Sequence, residues 1–278
     1  MRVLFVCLFV FCGIARAQTQ GTSSLFKDLC PALNKGKEGL CTQLQSLYFS
    51  GQAPKASSKN EVNLFPTSNA LFEVIDSPAD SLTVYRVLED PNKMASFAYC
   101  YFSFRKWLLN PISTDQMSLT ISGFSIIKSE TAGYAKWLTT SEGKTCVKKV
   151  KSESDEDVVD LEKYFDSEKQ ALLFVNPLAL VSLSSSLDHF KGEMKKIVNH
   201  ERVHVIQGLC KNIDSWSEGV WKKLKPEESK SFEKTYPGYK WSDSKIAGRE
   251  SVAYTFEEDF GGFLKKVEPS IKICKLVK

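Results

Sequence analysis

The sequence lacks a long apolar run beyond its first 17 residues and carries little excess charge. The segment from Val3 to Ile14 is apolar but too short to span a bilayer comfortably, and nothing similar follows it. No transmembrane segment is therefore expected after residue 17. Residues 1–17, interpreted below as a cleaved signal peptide, contain two of the 37 basic residues, Arg2 and Arg16, and no acidic residue. The remaining chain therefore has 35 basic and 33 acidic residues, a formal charge of +2. This balance gives no electrostatic reason to expect a nucleic-acid partner.

Cysteine pairs with the C-x-x-C spacing of metal ligands are also missing, which makes a structural zinc site built from cysteines improbable. Six cysteines follow residue 17, and an even number in an exported chain indicates disulfides. Six cysteines allow fifteen pairings, and the sequence alone does not choose among them. Proximity along the chain suggests Cys30–Cys41, Cys100–Cys146 and Cys210–Cys274.

Residues 1–17 have the features of a secretory signal peptide. Arg2 precedes the apolar run, and Ala15-Arg16-Ala17 is a small-x-small cleavage site. These features predict cleavage after Ala17 and a secreted or periplasmic protein.

Histidine is scarce, with only three in 278 residues, and two of them lie in His200-Glu201-Arg202-Val203-His204. On a helix, residues four positions apart project from one face, so both imidazoles can reach a single ion. Glu201 is placed to take a proton from a water activated by that ion instead of binding the ion itself. The third histidine, His189, is eleven residues before His200 and too far away to share the ion.

The residues around the motif favour a helix. Met194, Ile197, Val198, Val205 and Ile206 are apolar at near-helical spacing, no proline interrupts them, and Gly208 is a plausible C-terminal stop.

The pattern H-E-R-V-H-V-I-Q resembles the zincin superfamily of metallopeptidases. The resemblance implies one zinc ion per chain on His200 and His204, Glu201 as general base, and a third ligand further along. The zincin variant with a third histidine is excluded, because Gln207 and Cys210 stand where its glycine and last histidine would be.

A later glutamate is the other common source of the third zincin ligand, often within E-x-x-A, and Glu250 with Ala253 fits that pattern. Glu257 and its neighbour Glu258 remain alternatives, since Glu257 lies two helical turns further along the same face. Tyr254, which follows in the same segment, is a candidate to stabilise the oxyanion, as is Arg249. Asn199 and Gln207 flank the motif and are expected to hydrogen-bond the ligands.

The predicted fold class is α+β. Residues 18–151 are expected to form an N-terminal helical cap and an antiparallel β-rich region, with strands at Leu82–Val87, Ser96–Phe104, Leu119–Ile127, Tyr134–Thr139 and Thr145–Lys151. Residues 152–278 are expected to form a zincin-like region with a metal helix and a second ligand helix, stapled by disulfides. The boundary is placed in the charged segment from Lys148 to Glu162.

Within the second region, Ala171–Val175 or Leu178–Leu183 is expected to form the edge strand with which an extended peptide pairs. A helix through Trp216 should stop at Pro226, and residues 225–243 are expected to form a loop that contains an aromatic turn, Tyr236–Trp241. A satellite hydrophobic cluster is the more economical interpretation of this turn, and one wall of the substrate cleft is the alternative. The second ligand helix is predicted from Asp243 to Phe260, with Asp243 or Ser244 as its cap and Gly261-Gly262 at its end.

Together these features predict a secreted or periplasmic zinc metallopeptidase that acts on a peptide or protein substrate, with Glu201 and Tyr254 as catalytic residues. Two alternatives remain open at this point. One is a cell-wall peptide hydrolase with the same mechanism, and the other is a non-catalytic, disulfide-stapled binding protein with an incidental H-E-x-x-H. Oligomeric state, cleavage specificity and endo- or exopeptidase action do not follow from the sequence.

Overall fold

The computed structural model describes residues 122–153 and 184–274 continuously, together with the shorter pieces 39–40, 62–63, 73–74, 85–86, 100–101, 103–105, 165 and 171–175. Most of these residues are helical. The helices, numbered along the chain, are α1 (Lys128–Leu138), α2 (Ser141–Glu153), α3 (Leu187–Leu209), α4 (Lys211–Trp221), α5 (Pro226–Thr235), α6 (Ser244–Phe256) and α7 (Phe260–Ile273).

The strands among the described residues are few and short: β1 (Val62–Asn63), β2 (Glu73–Val74), β3 (Tyr85–Arg86), β4 (Gly123–Ile127) and β5 (Ala171–Val175). β1 and β2 form an antiparallel pair. The other three form a small sheet in the order β3-β5-β4, in which β5 runs parallel to β3 and antiparallel to β4. β4 therefore lies at one edge of this sheet as described, and it packs against α3.

The expected antiparallel β-rich region is not supported by the described residues. Two segments predicted as strands, Tyr134–Thr139 and Thr145–Lys151, lie in α1 and α2, and residues 100, 101, 103 and 104 are helical. The physical reason is visible in α1, where Thr131, Tyr134 and Leu138 are buried at spacings of three and four, the period of a helix. Strands do occur at 85–86 and 123–127, inside two other predicted segments.

The helical segments predicted in the second half are present, with different boundaries. α3 begins at Leu187, because the Ser186 side chain accepts a hydrogen bond from the His189 backbone N–H and so caps the helix. Asp243 caps α6 in the same way, through the N–H groups of Lys245 and Ile246. However, α6 ends at Phe256.

The predicted end of the second ligand helix was wrong. Gly261 and Gly262 lie in the first turn of the separate helix α7. The Asp259 side chain caps that turn by accepting from the Gly262 N–H at 2.8 Å.

Residues 226–235, predicted as part of a loop, form α5. Proline at its first position and a 2.8 Å bond from the Lys225 N–H to Glu228 Oε2 start the helix. Its sequence, P-E-E-S-K-S-F-E-K-T, has no apolar stripe that would predict a helix, and none of its residues is buried.

Two of the three suggested disulfides, Cys100–Cys146 and Cys210–Cys274, are confirmed. Cys30–Cys41 lies outside the described residues, as do the signal peptide and most of the N-terminal cap. The Cys210–Cys274 bond joins the end of α3 to the end of α7, beside a core formed by α3, α4, α6 and α7. The other bond lies in a second core that includes Tyr101, Ile126 and Tyr134. None of the described helices is long and apolar enough to cross a membrane.

Candidate metal centre

Two packed helices bring three side chains to one point. α3 carries His200 and His204 one turn apart, and α6 carries Glu250. α6 also lies close against α4, because a Cβ on Gly248 would stand 2.6 Å from the backbone of Ser217 and Glu218. Gly248 is thus required two residues before Glu250, where it sets how deeply this helix packs.

The ligating atoms of this group form a triangle. His200 Nε2 lies 3.0 Å from His204 Nε2, and Glu250 Oε2 lies 3.4 Å from the former and 3.3 Å from the latter. All three side chains are largely buried, at 8%, 15% and 10% exposed. Within the described residues, this is the group of histidine and carboxylate side chains able to hold a metal ion.

The size of the triangle fits a tetrahedral ion. Bonds of about 2.0–2.1 Å, as zinc makes to nitrogen and oxygen, hold neighbouring ligand atoms about 3.3–3.4 Å apart. Two sides of the triangle, 3.3 and 3.4 Å, match this spacing, and the third, 3.0 Å, is slightly shorter. Glu250 Oε2 is also buried and accepts no hydrogen bond of regular geometry. A buried carboxylate oxygen in this position suits a cation.

Electrostatics couple the acid and the bases. Burial lowers the pKa of His200, but hydrogen bonding to Glu250 and Glu257 outweighs it and raises the pKa to about 10. Burial raises the pKa of Glu250, yet the charge of His204 and the close approach of both imidazoles bring that pKa well below its usual range. The carboxylate is therefore ionised, as a ligand must be.

The outer ring nitrogens have their own partners. His204 Nδ1 lies 2.9 Å from Gln207 Oε1, and Gln207 Nε2 donates to Ser217 Oγ at 3.0 Å and to the Arg249 carbonyl at 3.2 Å. His200 Nδ1 lies 3.6 Å from Glu257 Oε2. Partners at both Nδ1 atoms direct the two Nε2 atoms toward the common point.

These contacts distinguish the candidate third ligands. Glu250 faces both Nε2 atoms, whereas Glu257 faces Nδ1 of His200, on the other side of the ring. Glu258 is 72% exposed and pairs with Lys196 at 3.0 Å. Asn199, expected to bond a ligand, instead donates to the backbone carbonyl of Glu257 at 2.9 Å and so holds that residue in place.

Glu201, the predicted general base, contacts the edge strand. Ser125 Oγ on β4 lies 3.0 Å from Glu201 Oε2 and can donate to it across 76 residues of sequence. The Glu201 side chain and His204 line the same cleft. No motif surrounds Ser125, so sequence reasoning missed it.

Tyr254, the other predicted catalytic residue, packs against the site from the side. Its ring meets His200 edge-on at 4.4 Å between centroids and stacks on Tyr236 at 3.5 Å. Its hydroxyl donates to the Tyr239 hydroxyl at 3.3 Å. Tyr239 lines the cleft with Glu201 and Glu250, so the alternative interpretation of the aromatic turn, as part of the cleft wall, applies to this residue. Nothing in the sequence separated Tyr239 from Tyr236, the other tyrosine of that turn.

The cleft encloses about 800 Å³ including its open mouth. β4 forms one side, and His204 and Glu250, two of the three candidate ligands, lie on another. Arg105, Tyr101, Glu130 and Arg249 also line it; of these, only Arg249 was among the candidate residues from the sequence.

Comparison with known proteins gave no match: no protein-family model, no curated protein and no solved structure is similar to this chain.

Proposed function

We propose that this protein is a zinc-dependent metallopeptidase of the zincin type, secreted or periplasmic, that hydrolyses peptide bonds. The observation that carries the proposal is the convergence of His200 Nε2, His204 Nε2 and Glu250 Oε2, with Glu201 beside them on an open cleft. Two disulfides among the described residues are compatible with an extracellular location.

When bound by these three side chains, zinc would supply a Lewis acid and lower the pKa of water from about 15.7 toward about 7. Glu201 would accept a proton at its carboxylate and deliver it to the leaving amine. Since Ser125 occupies Oε2 of Glu201, the proton is expected at Oε1. Ser125 thus fixes the orientation of the base.

Tyr239 is better placed than Tyr254 to stabilise the developing oxyanion. Tyr239 lines the cleft, whereas Tyr254 is not among its lining residues, and the two hydroxyl oxygens lie 3.3 Å apart. Burial raises the pKa of Tyr239 well above its usual value, with further increases from Glu250 and Tyr254, so the hydroxyl keeps its proton at neutral pH. Tyr254 would then position Tyr239 and the ring of His200.

Of the strands, β4 is the one expected to bind an extended substrate. It lies at the edge of the sheet order and lines the cleft, whereas Ala171–Val175, one of the two runs predicted for this role, forms β5 between β3 and β4. The other run, Leu178–Leu183, lies outside the described residues. Backbone pairing with β4 would hold the scissile bond beside Glu201.

The test combines metal content and hydrolysis of the full chain. Zinc-loaded protein is expected to cleave an unfolded protein substrate, to lose this activity on chelation and to regain it with zinc. E201Q should keep its zinc but lose hydrolysis, while E258Q, which changes an exposed glutamate near the same site, should keep both. Full activity of E201Q would contradict the assignment.

Isolated cell-wall peptides should be assayed in parallel. Cleavage of these peptides without cleavage of protein would favour the cell-wall alternative. Zinc binding without hydrolysis of either substrate would favour a binding protein.

A further inference from the structure

A second charged cluster lies in the same cleft as the metal ligands and has no part in the chemistry described above. Arg105 Nη1 lies 2.9 Å from Glu130 Oε1 and donates to the Tyr101 hydroxyl. The Tyr101 hydroxyl donates in turn to Glu130 Oε2 at 3.0 Å. All three side chains line the cleft.

Burial makes this cluster costly as a purely structural feature. Arg105 is 9% exposed, and an ion pair taken out of water commonly adds no more stability than well-packed apolar residues would. Its guanidinium is nevertheless held in one orientation by Glu130 and Tyr101. A planar guanidinium fixed in this way is suited to recognising a carboxylate.

The charges of the cleft point to the same kind of ligand. The charged side chains among its described lining residues are Arg105, Arg249, Glu130, Glu201 and Glu250. The formal charges of these five side chains sum to −1, and a divalent ion bound by the candidate ligands would bring the net charge of the cleft to +1. Arg249 is also held by a carboxylate, with Nε 3.1 Å from Oδ1 of Asp214 on α4. The difference is that Tyr101 and Glu130, which hold Arg105, themselves line the cleft, whereas Asp214 does not. Arg105 is therefore the cation best placed to select a substrate.

We propose that Arg105 is a specificity-determining residue that makes the cleft prefer substrates carrying a carboxylate close to the scissile bond. This inference rests on the proposed peptidase function. The carboxylate is either the C-terminus of a peptide or the side chain of an internal aspartate or glutamate, and both present the same planar group to the guanidinium.

Binding to zinc-loaded E201Q tests the preference without turnover. Two matched pairs of N-acetylated peptides are compared by calorimetry: a tripeptide acid against its C-terminal amide, and a peptide amide with internal glutamate against one with glutamine. One acidic member should bind at least about 10-fold more tightly than its neutral partner, as expected for a charged hydrogen bond in a partly dry site. The pair that shows the difference identifies the source of the carboxylate. Equal affinities in both pairs would overturn the proposal.

Variants at Arg105 then assign the preference to this residue. R105Q in the E201Q background should abolish the difference between acid and neutral peptide, and R105K should weaken it severalfold, because lysine keeps the charge but not the planar fork. R202K is the matched control: Arg202 is buried on α3, packs over the Phe260 ring at 3.9 Å and does not line the cleft. It should keep the full preference.

A preference that survives in both R105Q and R105K would come from the metal or from another residue and would overturn the proposal. Zinc content and thermal denaturation show whether each variant is folded. If R105Q does not fold, R105K and the peptide pairs on Arg105-containing protein still decide the question. Hydrolysis of acidic and neutral peptides at equal efficiency would refute this inference alone. Selective binding without any hydrolysis by the wild type would refute the proposed function alone.

Discussion

Replacing Gln207 with leucine would remove the partner of His204, one of the two imidazoles proposed to bind zinc, at nearly constant volume. Gln207 is 1% exposed, accepts from His204 Nδ1 at 2.9 Å and donates to Ser217 and to the Arg249 carbonyl. Without this acceptor, His204 is free to carry its proton on Nε2, the nitrogen that faces the metal ligands. Outer partners of metal-binding histidines typically contribute about 10- to 100-fold in metal affinity, so Q207L should bind zinc more weakly by that factor.

Q207L should also destabilise the metal-free protein by about 1–3 kcal/mol, the usual cost of leaving buried polar groups without partners. Two further variants separate this loss of stability from the loss of zinc affinity. Q207E keeps an acceptor for His204 but loses the donor to the Arg249 carbonyl, so it should lose stability while its zinc affinity stays within severalfold of wild type. T131V removes a hydroxyl that donates to the Lys128 carbonyl at 2.7 Å; Thr131 is not among the residues that line the cleft, so this variant should affect stability alone.

The assay is competition for zinc with a chelator of known affinity, together with chemical denaturation of the metal-free protein. Wild-type zinc affinity in Q207L, despite a loss of stability, would refute the view that Gln207 sets the tautomer of His204.

Three further predictions follow from the site and its surroundings. E250A should lose zinc binding, whereas E257A should weaken it by about 10- to 100-fold, because Glu250 faces both Nε2 atoms and Glu257 faces an Nδ1; equal zinc affinities in chelator competition would contradict this division. S125A should lower kcat severalfold with unchanged KM and zinc content, because it frees Glu201 from its hydrogen bond to β4. S125T should restore the rate, and a change in KM alone would argue that Ser125 does not orient the base. Burial raises the pKa of Tyr134 above its ordinary value of about 10. The buried neutral phenol therefore contributes its full stability below about pH 10, and this contribution is lost as the pH rises further. Unfolding and tyrosinate absorbance should appear together, and Y134F should reduce the dependence of stability on pH.

The sequence was most informative where a short motif carries chemistry. The spacing of His200 and His204 predicted a shared helix face, and the capping residue Asp243 predicted where the second ligand helix begins. Proximity along the chain was enough to suggest Cys100–Cys146 and Cys210–Cys274. Each of these predictions depends on local geometry or on one simple constraint.

The failures arise where the signal is weak or distant. Over a few residues, apolar side chains such as Tyr134 and Leu138 fit both a strand and a helix, so α1 was taken for a strand. α5 buries nothing and lacks any periodic apolar pattern. The contact of Ser125 with Glu201 spans 76 residues, and Arg105 reaches the same cleft from a segment still earlier in the chain. Such contacts exist only once the chain has folded.

The central claim is that two imidazoles and one carboxylate hold a single zinc ion. X-ray absorption at the zinc edge of the wild-type protein loaded with one equivalent measures those bonds directly. We expect only nitrogen and oxygen neighbours at about 2.0–2.2 Å, two of them imidazoles. A sulfur neighbour at about 2.3 Å, or a site without imidazole, would contradict it.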